Sequence, residues 1–442
     1  MTSTPRFDTA RTPRIASLDV LRGLAILGIL LLNIPFMGNT LAVFADPRLT
    51  GWSPADQTAW HIQELLLEGT QRGLLELLFG ATAYIIVSRA LGPEDPVRAA
   101  DIYYRRSLWL ILFGVIHGTL LLWPGDILFN YGLAGLALFP FRRLRPRWLL
   151  SLGAAGLLVM GAAQLPDYLD YSRARAAAEQ VQAHPHALTP AEKKVVAAWE
   201  EARGQRAPSP AGRAAERAMR LGAYPTMLGW SWTWEWRFNA SYQLWLTEIE
   251  ALCTMLIGMA LFKLGILQGE RRTPFYLAMM LAGYAIGVPV RWAEAHFWAE
   301  QGFGSRPLYP VLVDIGRVAV TLGHLGLVHL LLRAAPGRLL LAAFQAPGRM
   351  ALTCYIGQTL ICQWFVFAGW GLGLWGRFSL AQLWGVAALV ILAEILFCNL
   401  WLRIFAMGPL EWLWRRLSHG KDPARPAAAA PAIITEGAPL PA

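Results

Sequence analysis

The sequence predicts an all-α protein: a polytopic transmembrane helix bundle of about ten spans, with both termini cytoplasmic. Three observations predict it. Of 442 residues, 55% are hydrophobic and only 15% charged, against roughly 25% charged in an average soluble domain. The mean hydropathy is +0.39. Apolar stretches of spanning length, about 20 residues, recur along the chain. Too few polar residues remain to cover a soluble fold, which argues against an ordinary soluble enzyme. The same composition excludes disorder, a collagen-like repeat and a small disulfide scaffold.

The candidate spans are 17–37, 73–91, 105–123, 126–142, 147–165, 243–267, 274–297, 308–332, 347–371 and 379–403. The first carries Asp19 and Arg22 and is longer than a signal-peptide core, so it reads as a retained helix. Orientation follows from the short loops. One set holds 22 basic residues, running from Arg6, Arg11 and Arg14 through Arg89, Arg98 and the Arg142–Arg147 cluster to Lys421 and Arg425. The opposite set holds four: Arg48, Arg72, Arg306 and Arg377. The excess places the first set in the cytoplasm, and the net charge of +10 has the same origin. No P-loop, zinc-finger spacing or basic aromatic stripe points to nucleic acid.

This divides the chain into an N-terminal membrane half (1–165), an extra-cytoplasmic helical insert (166–242), a C-terminal membrane half (243–420) and a disordered Ala- and Pro-rich tail (421–442). Within the insert, Thr189-Pro190-Ala191-Glu192 reads as a capping box opening a charged helix. The stretch from Trp230 to Trp236 alternates aromatic and polar residues and is expected to lie on the outer headgroups. Cys253, Cys354, Cys362 and Cys398 all fall in apolar runs without a CxxC, which indicates neither a disulfide framework nor a metal site.

Ionisable groups inside spans are expensive and usually mark function. Asp19 and Arg22 are three residues apart on one helix face and are expected to pair. They either form an interfacial ion pair or present a cation to an anionic cofactor. Asn33 lies about 21 Å further along the same helix. The sharpest constellation joins the third and fourth spans. A three-residue link, Pro124 to Asp126, makes them an antiparallel hairpin that brings His117, flanked by Gly114 and Gly118, near Asp126. A carboxylate beside an imidazole is the arrangement for general-base work; a helix N-cap and a structural hydrogen bond are the plainer alternative. The remaining intramembrane polar groups are Glu248, Glu250, Arg291, Glu294, Asp314, Arg317, His324, His329, Glu394 and Asn399. Asp314 and Arg317 repeat the i, i+3 pairing, whereas His324 and His329 diverge too far around a helix to share a metal.

The stretch Ser17-Leu18-Asp19-Val20-Leu21-Arg22-Gly23, running on to Asn33, resembles the opening of the YeiB-like bacterial membrane proteins. So do Leu78-Phe79-Gly80, Gly114-Val115-Ile116-His117-Gly118, Gly125-Asp126-Ile127-Leu128, the run from Gly348 to Gln358, and Gly408-Pro409-Leu410-Glu411-Trp412. Cys354 departs from the polar residue, often Asn, that the resemblance leads one to expect. The Asp-x-x-Arg-Gly…Asn opening is also similar to that of heparan-glucosaminide N-acetyltransferase, in a transmembrane acyltransferase superfamily. That resemblance implies an acyl group, acetyl above all, taken from cytoplasmic acyl-CoA and delivered to a hydroxyl or amine on the far side. Asn33 matches a residue tied to catalysis there; Phe44 stands where the partner histidine would be, so His61 or His117 must replace it.

The expected site therefore has His117 or His61 as base, Asp126 as orienter and Asn33 as oxyanion donor. Asp19, Arg22, Arg105, Arg106 and Arg143 are expected around the phosphates of acyl-CoA, which is the donor substrate, with no metal. Expected partners are the lipid bilayer and a small-molecule or glycan acceptor, not nucleic acid; a homodimer is compatible with the sequence. The expected location is the bacterial inner membrane. A small-molecule transporter whose path is lined by the same polar residues is the alternative, and a structural or assembly partner is a third.

Overall fold

A computed structural model describes residues 15–88, 96–183, 188–204, 209–239, 241–300, 303 and 310–419. The tail 421–442 and the loop residues Arg6, Arg11, Arg14, Arg89, Arg306, Lys421 and Arg425 lie outside the described residues. Among those described there are helices and no strands. The protein is an all-α helix bundle, and six of its helical runs are long and apolar enough to cross a membrane.

The N-terminal half comprises α1 (Ala16–Gly38), α2 (Pro54–Ile62), α3 (Thr70–Ser88), α4 (Pro96–Val115), α5 (Leu128–Leu138) and α6 (Pro146–Ala163). The insert holds α7 (Leu165–Ala183), α8 (Pro190–Gly204), α9 (Pro210–Arg220) and α10 (Tyr224–Asn239). The C-terminal half contains α11 (Tyr242–Lys263), α12 (Thr273–Glu300), α13 (Pro310–Arg333), α14 (Ala335–Ala342), α15 (Gln345–Arg349), α16 (Ala351–Gln358), α17 (Leu380–Ile404) and α18 (Pro409–His419).

Helix α1 is apolar on every side, as a helix surrounded by others must be. Val20, Leu21, Ala25, Ile26, Ile29, Leu30 and Ile34 are all buried, and α3, α15, α16 and α17 pack around it. Pro35 lacks an N–H and so frees the Leu31 carbonyl four residues back; the Trp384 indole of α17 donates to that oxygen at 3.1 Å. Helices α12 and α17, like the run from Pro146 to Ala183, leave most of their surface uncovered by the bundle. Leu389, Leu392, Leu396 and Leu400 of α17 are exposed, a face suited to lipid rather than water.

Helix association inside lipid rests on close packing and interhelical hydrogen bonds rather than on release of water. Gly348 of α15 shows the first. A Cβ there would fall inside the van der Waals shell of the Asp19 carbonyl oxygen on α1, and backbone oxygen cannot swing aside. Gly348→Ala should therefore prise α15 from α1 and lower the melting temperature of detergent-purified protein. An unchanged melting temperature would show that this contact is looser than described.

The span expected over 347–371 is broken. Glu411 of α18 accepts from the Leu352 and Thr353 N–H groups at 2.7 and 3.0 Å. Its carboxylate thus satisfies the first-turn donors of a helix that restarts at Ala351. From Thr359 to Phe367 the chain widens into a π-helix. Helix α5 has 11 residues, about 16 Å at 1.5 Å per residue, short of a hydrocarbon core of about 30 Å.

The insert is tied to the bundle. Thr40 and the Leu41 N–H at the end of α1 donate to Glu216 of α9 at 2.5 and 3.1 Å. The expected capping box opens α8, where Thr189 donates to Glu192 and the Glu192 N–H donates back to the Thr189 hydroxyl. The tryptophan stretch forms helix α10, with Trp232, Trp234 and Trp236 exposed and the Ser231 hydroxyl donating to the Gly118 carbonyl at 2.7 Å. Outside the spans, Asp56 of α2 receives the Ala381 N–H of α17 at 2.9 Å. Burial alone would raise its carboxyl, but hydrogen bonds from Ser379, Ala381 and Ser53 hold it down at about 2, so this clamp stays ionised at neutral pH.

Candidate functional site

His117 stands where α4 changes character. After Val115 the chain makes a π turn, Ile116–Leu120, in which the Leu121 N–H donates to the Ile116 carbonyl five residues back at 2.9 Å. Such turns re-aim a side chain and are frequent at functional sites. The link to α5 then runs over 121–127, longer than the three residues expected, and Leu122 takes a φ of +64°. A branched residue in the left-handed region is strained by roughly 1–2 kcal/mol, and here the strain adjoins the histidine: the Trp123 N–H donates to the His117 carbonyl at 3.1 Å.

The imidazole is fully buried and held at both nitrogens. Nδ1 lies 2.7 Å from Asp126 Oδ1, and Nε2 lies 2.8 Å from the Thr359 hydroxyl. A carboxylate can only accept, so Nδ1 carries a proton; in the neutral ring Nε2 is then the acceptor for the Thr359 hydroxyl. Asp126 makes two contacts with its two oxygens. Oδ1 holds the ring, while Oδ2 accepts the Phe129 N–H in the first turn of α5 at 2.8 Å. Gly114 makes this approach possible, because a Cβ there would collide with the Phe129 N–H and with Asp126 Oδ2. A Cβ on Gly118 would meet Glu235 of α10 at 2.6 Å. The flanking glycines therefore admit neighbouring protein groups.

Tyr355 of α16 packs edge-on against the His117 ring, centroids 4.9 Å apart. Its hydroxyl accepts the Ile127 N–H at 3.2 Å and donates to the Gly125 carbonyl at 3.3 Å. The same tyrosine lines a cavity of about 340 Å³. One part of this cavity is apolar, with Ile127, Leu128, Tyr131 and Leu110; another presents Arg22, Arg106, Arg349 and Arg415, with Glu411 beside them. Arg22 makes the expected ion pair with Asp19 at 3.1 Å and also donates to the Gly348 carbonyl and the Thr82 hydroxyl. Arg106 lies over the Trp414 ring of α18 at 3.9 Å, and Arg349 donates to the Ala406 carbonyl at 3.1 Å.

Other expected site residues fall elsewhere. His61 is exposed on α2, its Nδ1 bonded to the Gln57 carbonyl at 2.7 Å and its ring against Trp60, so its own helix takes up the imidazole. Arg105 is exposed and paired with Asp101 one turn away at 2.8 Å; residues 105 and 106 point to different sides of α4, and only Arg106 reaches the cavity. Arg143 is exposed on the turn Phe139–Arg143 and does not line it. Asn33 is half-buried on α1 and is not a partner of His117 or Asp126. Those two residues do not line the cavity either; Tyr355 forms the wall between. His324 bonds to the Tyr284 hydroxyl and the Leu66 carbonyl, both at 2.7 Å, a structural arrangement. Among the described residues no cluster of metal-ligating side chains occurs.

One constellation escapes a reading of single segments. Arg317 of α13 contacts Glu76 of α3 at 3.2 Å, Glu250 of α11 at 3.0 Å and Asp314 at 3.3 Å. Arg72, which a loop count assigns to a short connection, lies in α3 and joins Glu250 at 2.5 Å. The Thr254 hydroxyl accepts from Arg317 at 3.1 Å. Two cations thus face three carboxylates between three helices, an arrangement tolerable in a bundle only because each charge has its partner.

Fold and site together define an all-α membrane protein with a buried histidine–aspartate pair beside an apolar cavity lined on one part by arginines. Residues 261–421 match the family described as "Protein of unknown function (DUF418)". The chain is 32% identical over 420 residues to the uncharacterized protein YeiB of Escherichia coli (strain K12), covering 92% of this chain and 96% of that one. It is 29% identical over 422 residues to the uncharacterized protein YxaH of Bacillus subtilis (strain 168), covering 93% and 96%. A 39.9 kDa protein from the amylase 3' region of Bacillus acidopullulyticus is 25% identical over 415 residues, covering 92% and 94%. The chain belongs to the YeiB-like family.

Proposed function

We propose that the protein is a membrane-embedded acyltransferase that takes an acyl group, acetyl in the first instance, from acyl-CoA and passes it to a hydroxyl or amine acceptor. The observation that carries this reading is the cavity. Guanidinium groups suit the phosphates of a CoA nucleotide, the apolar part suits a pantetheine arm, and about 340 Å³ lies at the small end of ligand sites. The thioester would then lie near Tyr355, whose ring packs on His117. In this reading His117 is the general base and Asp126 orients it. The excess of basic residues in one set of loops supports an orientation with the Arg22 end in the cytoplasm of a bacterial inner membrane and both termini on that side. A cysteine introduced at the exposed Ala197 of α8 should then be labelled by an impermeant maleimide from outside; labelling from the cytoplasmic side alone contradicts this orientation.

Titration of acetyl-CoA into purified protein tests the donor site. Arg22→Gln removes one charge-assisted contact, so affinity should fall roughly tenfold or more, and salt should weaken the wild type in the same direction. If Arg22 serves only Asp19, the variant will be less stable but bind acetyl-CoA unchanged. A transporter is the second reading, and the five-residue ion cluster among α3, α11 and α13 is the observation that favours it. Absence of any acetyl-CoA binding would remove acyl transfer from acetyl-CoA and leave the transporter reading standing.

A further inference from the structure

We propose that Thr359 is the nucleophile of the transfer and carries the acyl group as an ester between donor and acceptor; this rests on the acyltransferase reading above. The first ground is order. Thr359 Oγ1, His117 Nε2, His117 Nδ1 and Asp126 Oδ1 form one line of hydrogen bonds, 2.8 Å and then 2.7 Å long. Hydroxyl, imidazole and carboxylate in that sequence are nucleophile, base and orienter wherever such a relay performs acyl transfer, whatever the fold.

The second ground is what Thr359 does not do. A threonine inside a helix commonly turns its hydroxyl back to the carbonyl four residues earlier. In this chain Thr70, Thr82, Thr119 and Thr321 all do so, at 2.5 to 2.8 Å. The Thr359 hydroxyl instead reaches across to an imidazole 242 positions away in sequence. It does so where α16 gives way to the π-helix Thr359–Phe367, and His117 sits on a π turn of its own. Two helices thus depart from regular geometry at the two residues that meet.

The third ground is position. Tyr355 lines the donor cavity, and Thr359 is one turn further along the same chain, about 6 Å away by helical rise. Thr359 does not itself line the cavity, so the transfer requires the Tyr355 ring to swing aside and admit the thioester to the hydroxyl. Thr359 is fully buried, which shields an ester from water.

Thr359 Oγ attacks the thioester carbonyl carbon and its proton passes to His117 Nε2. The C–S bond breaks and the leaving thiolate takes that proton, giving free CoA thiol and a Thr359 ester. The acceptor hydroxyl or amine then attacks the ester carbonyl and gives its proton to His117. The C–O bond to Thr359 breaks, and His117 returns the proton to the threonine oxygen.

The test uses full-length protein in detergent, acetyl-CoA as probe and no acceptor, followed by acid quench, intact mass and peptide mapping. One acetyl ester per chain is expected, on Thr359 and labile to hydroxylamine. Thr359→Ser should retain it; the near-isosteric Thr359→Val should lose it and lose CoA thiol release at least a hundredfold. Acetyl-CoA titration of each variant reports folding and donor binding separately. Protein that binds and consumes acetyl-CoA without a Thr359 ester, or a Thr359→Val variant with wild-type thiol release, overturns the proposal and leaves the acyltransferase reading standing. Failure of the wild type to bind acetyl-CoA overturns both.

Discussion

Replacing His117 with Gln should abolish release of CoA thiol from acetyl-CoA while leaving acetyl-CoA affinity within about threefold. The expected loss is at least a hundredfold, because positioned general bases contribute about 10²–10⁴. Gln keeps an amide near the places of the two ring nitrogens, so Asp126 and Thr359 retain partners in a dry site; His117→Ala would strand both and invite unfolding. Asp126→Asn should show the same split, since an amide cannot hold the ring with Nδ1 protonated and Nε2 free to accept. Affinity survives because His117 and Asp126 lie behind Tyr355, outside the cavity lining. A His117→Gln enzyme with wild-type thiol release would remove the pair from the chemistry.

Removing Arg317 should have the largest effect on stability. Its guanidinium faces Glu76, Glu250 and Asp314, and Arg317→Met would leave Arg72 alone among three carboxylates. Breaking a buried ion pair from one side costs about 3–5 kcal/mol, a large part of the stability of most folds. The folded fraction recovered from membranes should collapse. Combining Arg317→Met with Glu76→Gln and Asp314→Asn removes the uncompensated charge and should restore much of the yield. Arg317→Lys should fall between, since a point charge cannot match a fork that serves three acids. Wild-type melting of Arg317→Met, read by size exclusion after heating, would show that the cluster does not hold α3, α11 and α13 together.

The local part of this architecture is legible in the sequence. Asp19 and Arg22 pair because three residues make nearly one helical turn, and His117 meets Asp126 because a short link must fold two apolar helices back on each other. Long-range partners are not legible. Thr359 gives no local signal: it lies in an apolar run, and only a π turn aims it at His117. Arg72 reads as a loop arginine until α3 is seen to begin at Thr70. Glu76 does not stand out among the charged residues of the sequence until α11 and α13 supply its neighbours. The restart of the helix at Ala351 is equally hidden, because its cap comes from Glu411, far along the chain. Arg105 and Arg106 look equivalent in sequence, and only their facing on α4 separates an exposed ion pair from a cavity wall.

Acyl transfer from acyl-CoA requires the donor cavity to hold the acyl chain. An acyl-CoA carrying a photoreactive diazirine at the end of its acyl chain, irradiated with the purified protein and mapped by peptide mass spectrometry, tests it directly. Crosslinks should fall on Ile127, Leu128, Tyr131 or Tyr355, disappear with excess acetyl-CoA, and weaken in Arg22→Gln and Arg106→Gln. Crosslinks confined to the exposed leucines of α17, or crosslinks that excess acetyl-CoA does not displace, would contradict it.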